Sequence, residues 1–184
     1  MGQVSVLEVP SQSLANYGWL TNTSLPRIIC EAVTMWREVD ASASTLDSLM
    51  QGCEVERAVR IGHPIVLDPV PWSGRLMAVL ASRARKTLPS APLCALNWSK
   101  FGTEAGQPQL GDVLCYLLED GPYVGLYLGE DDLAYHVLGA DKTPRISVAR
   151  VAKHRLYAAR SPIYQDNSKS VRAIALNRDG SLRP

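Results

Sequence analysis

The sequence predicts an α+β fold in which N-terminal helices pack on an antiparallel sheet of about five strands. Apolar residues recur with helical spacing through the first half of the chain, to about residue 102. Beyond residue 111, short apolar and aromatic runs are separated by glycine, aspartate and proline, which is typical of strands and turns. A group of helices followed by a series of short strands favours one antiparallel sheet covered by helices.

Length and composition set the broad class. The chain has 184 residues, of which 46% are hydrophobic and 20% are charged, as in ordinary globular domains. It is therefore long enough to bury a sizeable core. The formal net charge of +1 provides no overall field toward nucleic acid or a membrane, so we expect neither as a partner.

Cysteine spacing and run length exclude several other classes. The four cysteines (Cys30, Cys53, Cys94 and Cys115) form no CxxC pair or zinc-type spacing, so we expect free thiols, no metal and no cofactor. No apolar run reaches the ~18 residues that a membrane span needs. The N-terminus lacks a signal-peptide pattern, so we expect synthesis to end in the cytoplasm.

The first part of the chain contains an arm and several helices. Residues 1–24 are polar and predict an extended arm, with a short strand at 3–9. Residues 24–39 predict a helix with Ser24 as its N-cap and Pro26 in its first turn. One or two short helices are expected over 41–59, followed by a proline-broken loop over 62–71.

Two further helices precede the predicted sheet. Residues 73–86 keep one apolar side, and residues 91–102 predict a helix closed by Gly102. The main domain therefore covers 25–163, and a polar tail covers 164–184. The predicted strands are 112–118, 123–130, 133–139, 146–152 and 155–161.

Ser73 is the first candidate for chemistry. A short polar residue at the start of a buried helix is where many hydrolases place a nucleophile, but it is also where an N-cap belongs. A serine nucleophile needs a general base. The three histidines offer none at a recognisable spacing: His136 lies in a strand and suggests packing or a hydrogen bond, while His63 and His154 fall in a loop and a turn.

Several segments match one enzyme family in order. The segments "VPWSGRLMAVLASRA", "LPSAPLCALNWSKFG", "QLGDVLCYL" and "YVGLYLGEDDLAYHVLGADK" together resemble the NlpC/P60- and CHAP-like peptidoglycan amidases of phages and prophages. The resemblance runs from about Leu25 to Tyr164. It implies a papain-like fold, with N-terminal helices on an antiparallel sheet, and a Cys-His-Asn catalytic set.

All three catalytic positions of that family are altered here. The resemblance places Ser73 at the nucleophilic cysteine, Tyr123 at the histidine base and Asp141 at the orienting asparagine. A cysteine paired with histidine becomes a thiolate, whereas a serine hydroxyl does not. A phenol, with a reference pKa of ~10, is neutral at pH 7 and accepts protons poorly. The resemblance therefore implies a catalytically degenerate site.

Four more residues border that site by the same resemblance: Trp72, Gly74, Arg75 and His136. The family has an apolar residue at the position of Arg75. We therefore expect this long cation to alter or fill the cleft beside Ser73.

The resemblance implies a pseudoenzyme that serves as a structural or binding component of a phage tail or baseplate. It would reach the virion after synthesis in the bacterial cytoplasm, contact other chains through its N- and C-terminal arms, and have peptidoglycan as a further candidate partner. The alternative is an active peptidoglycan hydrolase that uses Ser73 as nucleophile, with Tyr123 or a displaced histidine as base. An engineered exchange of cysteine for serine is a third interpretation, which Tyr123 disfavours because such a design would keep the histidine.

Overall fold

The computed structural model describes residues 14–41, 72–140, 145–164 and 169–184. Its described residues form an α+β structure with an open antiparallel sheet of six strands. The predicted α+β class is thus confirmed, and the sheet has one strand more than the expected five or so. The additional strand, β1, is two residues long, which is too short for an alternating pattern to predict.

Within the described ranges, two α-helices and three 3-10 helices accompany the strands. The helical elements are η1 (Leu14–Thr21), α1 (Arg27–Ala41), α2 (Trp72–Arg83), η2 (Ala95–Lys100) and η3 (Lys153–Arg155). The strands are β1 (Thr103–Glu104), β2 (Val113–Leu118), β3 (Gly121–Glu130), β4 (Ala134–Ala140), β5 (Ile146–Ala152) and β6 (Leu156–Ser161). Among the described helices, none combines the length and the hydropathy that a membrane-spanning helix requires.

The sheet is a meander extended on one side. Strands β2 to β5 follow one another as antiparallel neighbours, while β6 returns to pair with β2, and β1 pairs with β6. The β2–β3 hairpin turns at Gly121, whose φ of 115° lies in the left-handed region that favours glycine. The spatial order is therefore β1-β6-β2-β3-β4-β5.

The two faces of the sheet bury different side chains. Successive residues of a strand point to opposite faces. On β3, Val124 and Leu126 join one apolar cluster with side chains of α1 and α2, which cover the first face. Tyr123 and Tyr127 instead join a second cluster, which also contains tyrosines of β2 and β4. The second face thus has an aromatic core of its own.

Both terminal segments differ from a simple polar arm. Leu14–Thr21 of the predicted extended arm forms the 3-10 helix η1, and Tyr17 within it is completely buried. In the tail, Ile174 and Leu176 are buried, and Ala175 forms a β-bridge with Glu130. The few apolar residues of each segment pack on the domain, because burying them is favourable. The predicted strand at 3–9, the short helices after residue 41 and the loop at 62–71 lie outside the described residues.

Candidate functional site

Ser73 lies in the first turn of α2 and is 3% exposed. An N-cap precedes the first helical residue, and the helix already includes Trp72, so the N-cap interpretation of Ser73 is wrong. A Cβ at the adjacent Gly74 would collide with the carbonyl oxygen of Leu93. The start of α2 is therefore pressed against the backbone that leads into η2, and only glycine fits at position 74.

The side chains of Trp72 and Arg75, on either side of Ser73 in the sequence, contact each other. The guanidinium carbon of Arg75 lies 5.2 Å from the centroid of the Trp72 ring, within the range of a cation–π contact. Both side chains are half-buried. Arg75 therefore packs along the first turn of its own helix, beside Ser73.

Tyr123 points away from α2. Its side chain is 7% exposed and lies in the second-face cluster, with its ring centroid 6.3 Å from that of Tyr116. Its hydroxyl lies over Gly139 of β4, where a Cβ would collide with it. The next residue, Val124, faces α2 on the other side of the sheet. The structure thus places Tyr123 on the face opposite to the helix that carries Ser73.

The third predicted catalytic residue, Asp141, lies outside the described residues, as do His63 and Cys53. The described β4 ends at Ala140, so the geometry of the described set rests on Ser73 and Tyr123. His154 is exposed, in η3. Among the described residues, no group of three or more histidine, cysteine or acidic side chains is arranged to hold a metal ion.

His136 is the centre of a buried polar network on the first face. Its Nδ1 lies 2.7 Å from the Tyr17 hydroxyl, and its Nε2 lies 3.0 Å from Oδ2 of Asp131. A carboxylate only accepts hydrogen bonds, so Nε2 carries the ring proton and Nδ1 accepts a hydrogen bond from the Tyr17 hydroxyl. Both ring nitrogens are therefore occupied, in agreement with a hydrogen-bonding role for this histidine.

The Asp131 carboxylate accepts hydrogen bonds from several groups besides His136. Arg150 donates to both carboxylate oxygens, with Nη2 2.8 Å from Oδ1. The backbone N–H groups of Leu133 and Ala134 also donate to Oδ1, at 2.8 Å and 3.1 Å. Burial alone would raise the pKa of Asp131, but the hydrogen bonds from Arg150, Leu133 and His136 hold that pKa far below its usual range.

Burial and neighbouring charges also shift the pKa values of His136 and Tyr17, and both side chains stay neutral. Burial lowers the pKa of His136 below its ordinary value, and the Asp131 carboxylate offsets this only in part. Burial, with the negative charges of Asp179 and Asp131, raises the pKa of Tyr17. A neutral imidazole and a completely buried, protonated phenol have no access to a substrate, so the network fastens η1 to the sheet.

Sequence reasoning named His136 but missed Tyr17, Asp131 and Arg150. One signal was present for Arg150: in "ISVARVA" it falls at the same strand phase as Ile146 and Val148, which face the helices. A buried cation needs a carboxylate. Arg150 on β5 pairs in register with His136 on β4. The turn that precedes β4 contains Asp131, which was therefore the carboxylate to expect beside Arg150. Tyr17 had no comparable signal, because its partner is remote in sequence.

Comparison with known proteins adds no family assignment to this geometry. No protein-family model, curated protein or solved structure matches the chain.

Proposed function

We propose that this chain is a catalytically degenerate relative of the NlpC/P60- and CHAP-like amidases, with a papain-like scaffold. It acts as a structural or binding component of a phage tail or baseplate. One observation carries the loss of catalysis: Ser73 lies on the helix that covers the first face of the sheet, whereas Tyr123 points to the second face.

The chemistry of these two positions supports a scaffold without hydrolysis. A serine hydroxyl attacks an amide only when a general base takes its proton within hydrogen-bond reach. Tyr123 lies on the wrong face for that task, and both ring nitrogens of His136 are engaged by Tyr17 and Asp131. Neither Tyr123 nor His136 is therefore available to Ser73 as a base.

The assignment to a virion rests on the sequence resemblance to phage amidases. A scaffold that has lost its catalytic set can persist as an interaction surface, since a fold does not imply an activity. The proposed partners are other chains of the assembly and peptidoglycan, reached through residues 1–24 and 164–184. Part of each segment packs on the domain, through Tyr17 and Leu176, so the parts free for partners are shorter than the sequence suggested.

The alternative is a peptidoglycan hydrolase with Ser73 as nucleophile, and an assay on purified cell walls separates the two. The wild-type chain and Ser73→Ala are incubated with cell walls, and soluble fragments are measured alongside the amount of chain that sediments with the walls. The pseudoenzyme predicts no release by either protein, with or without sedimentation. Fragments released by the wild type but not by Ser73→Ala would overturn the proposal.

A second measurement tests the place of action. Phage particles from a lysogen that encodes the chain are purified and their proteins are identified by mass spectrometry. The proposal predicts that the chain is found in intact particles and in isolated tails. A chain recovered only from the soluble lysate would contradict a role in the virion.

A further inference from the structure

An open groove of about 830 Å³ lies at the end of α2 that is remote from Ser73. One part of its lining is the turn that follows α2, from Ala84 to Pro89, and another is Leu25 to Arg27, where the chain enters α1. The end of η2 and the residues after β6 complete it. Its volume falls within the ~300–1,000 Å³ of typical binding sites.

The charged side chains that line this groove, among the described residues, are all positive. Four cations line it, and none of its described lining residues is a carboxylate. Arg27 has Glu31 at 3.8 Å, but that pair lies on the surface of α1 and half of the Arg27 side chain is exposed. No carboxylate of the described residues pairs with Arg85 or Lys100. The chain as a whole has a net charge of only +1, so this local excess of cations does not follow from the overall composition. The four cations are Arg27, Arg85, Lys86 and Lys100.

Arg85 has a backbone conformation that ordinarily belongs to glycine. Its φ is 57°, its N–H bonds to the Ser82 carbonyl at 2.9 Å, and the N–H of Lys86 bonds to the Ala81 carbonyl at 2.8 Å. These bonds form the turn that ends many helices, in which glycine is the preferred residue at the position of Arg85. An arginine at a strained position in a groove suggests that the side chain serves a purpose there.

Lys86 is fixed inside the groove. Its Nζ donates to the carbonyl oxygen of Ile163 and lies 4.2 Å from the centroid of the Tyr164 ring. Partial burial, together with the neighbouring Arg27 guanidinium, lowers the pKa of Lys86. Cations that crowd each other in this way favour an anion between them.

The remaining walls are apolar. Ile163 is 67% exposed at one side, and Leu88 and the proline rings of Pro26 and Pro89 line the others. The proline rings make these walls stiff, so little ordering is needed when a ligand binds. An occupant that fits the groove therefore combines negative charge with apolar side chains.

We propose that this groove binds an extended acidic segment of a partner protein, with carboxylates against Arg85 and Lys100 and an apolar side chain against Ile163 and Leu88. A nucleic acid fits less well. Its bases need an open aromatic face to stack on, whereas Lys86 covers the Tyr164 ring and Phe101 is buried. Because the groove lies at the other end of α2, such binding would be independent of any chemistry at Ser73.

The test uses an array of random octapeptides probed with the full-length chain. Binding peptides should be enriched in aspartate and glutamate together with leucine, isoleucine or phenylalanine. The best of them, measured in solution, should bind about tenfold more weakly to Arg85→Gln/Lys100→Gln. The matched control is Arg37→Gln/Lys169→Gln, which removes the same charge from exposed positions outside the groove and should bind like the wild type.

Three results would overturn the proposal. One is an array without acidic enrichment, and a second is equal loss of binding in the groove variant and its control. The third is tighter binding of a single-stranded oligonucleotide than of the best peptide, lost in the groove variant, which would assign the groove to nucleic acid. Replacing the carboxylates of the best peptide by amides should also weaken binding about tenfold, as should high salt.

Discussion

The Tyr17 hydroxyl donates a 2.7 Å hydrogen bond to Nδ1 of His136, which lies 119 positions further along the chain. The bond ties η1 to the fourth strand of the sheet. The C-terminal segment also packs against η1. Trp19 Nε1 donates a hydrogen bond to the Gly180 carbonyl at 3.1 Å, and a Cβ at Gly180 would collide with the Tyr17 ring. Residues near both ends of the chain are thus fastened beside one buried network.

Tyr17→Phe tests the stabilising role of this bond. The change keeps the ring but leaves Nδ1 of His136 buried without a donor, which should cost about 1–3 kcal/mol of unfolding free energy. Chemical denaturation measures the loss. The control is Tyr157→Phe, since Tyr157 is 57% exposed and should change stability by less than about 0.5 kcal/mol. Equal stability of the two variants would show that the Tyr17–His136 hydrogen bond does not stabilise the fold.

Acid should destabilise the fold through His136. Its pKa is lowered in the folded chain, so below the ordinary histidine pKa of ~6.5 the unfolded chain binds the proton more readily. The contribution is fully present above pH ~6.5 and is lost as the pH falls through the lowered value. Asp131 acts in the same direction at lower pH, because its folded pKa is also depressed.

Denaturation at a series of pH values measures this effect. His136→Gln should flatten the dependence of stability on pH below ~6.5, whereas His154→Gln, at an exposed position, should keep the wild-type slope. A slope that survives in His136→Gln would assign the acid sensitivity to another group.

The Asp131–Arg150 pair should show strong coupling. Asp131→Asn removes the carboxylate that pairs with the buried Arg150 guanidinium, at a cost of about 3–5 kcal/mol. Adding Arg150→Met removes the buried cation as well and should recover part of the loss. A double-mutant cycle in chemical denaturation quantifies the coupling. Additive effects of the two single changes would show that the pair is not a unit.

Arg85→Gly should stabilise the protein, although it removes a side chain from the groove. Glycine adopts the φ of 57° without strain, which is worth about 1 kcal/mol. Arg83→Gly, only two residues earlier but within α2, should instead destabilise by a similar amount. Thermal and chemical unfolding of both variants provide the comparison. A loss of stability in both would contradict the assigned role of position 85.

Local patterns predicted most of the regular elements. The five expected strands correspond to β2 through β6, because alternation and turn residues bounded each run. The helix expected over 73–86 is α2, which begins at Trp72 and ends at Arg83. The helix expected over 24–39 begins later, at Arg27, directly after Pro26. The helix expected over 91–102 is the shorter 3-10 helix η2, although Gly102 does follow it, with a φ of 49°.

Local sequence patterns do not predict contacts between residues that are distant in sequence. The network around His136 joins η1, the β3–β4 turn and β5, which only the folded sheet brings together. The strand phase of Tyr123 was readable, but not which face of the sheet would receive α2.

The sheet separates Ser73 from Tyr123, and restoring the residue types of the amidase family at both positions tests this separation. Ser73→Cys/Tyr123→His restores the residue types of the amidase family, with Ser73→Cys alone as the matched control and circular dichroism as the check on folding. Release of soluble fragments from purified cell walls is measured for both. We expect no release by either variant, because the side chain at 123 points to the second face. Fragments released by the folded double variant, but not by Ser73→Cys alone, would show that the two side chains meet.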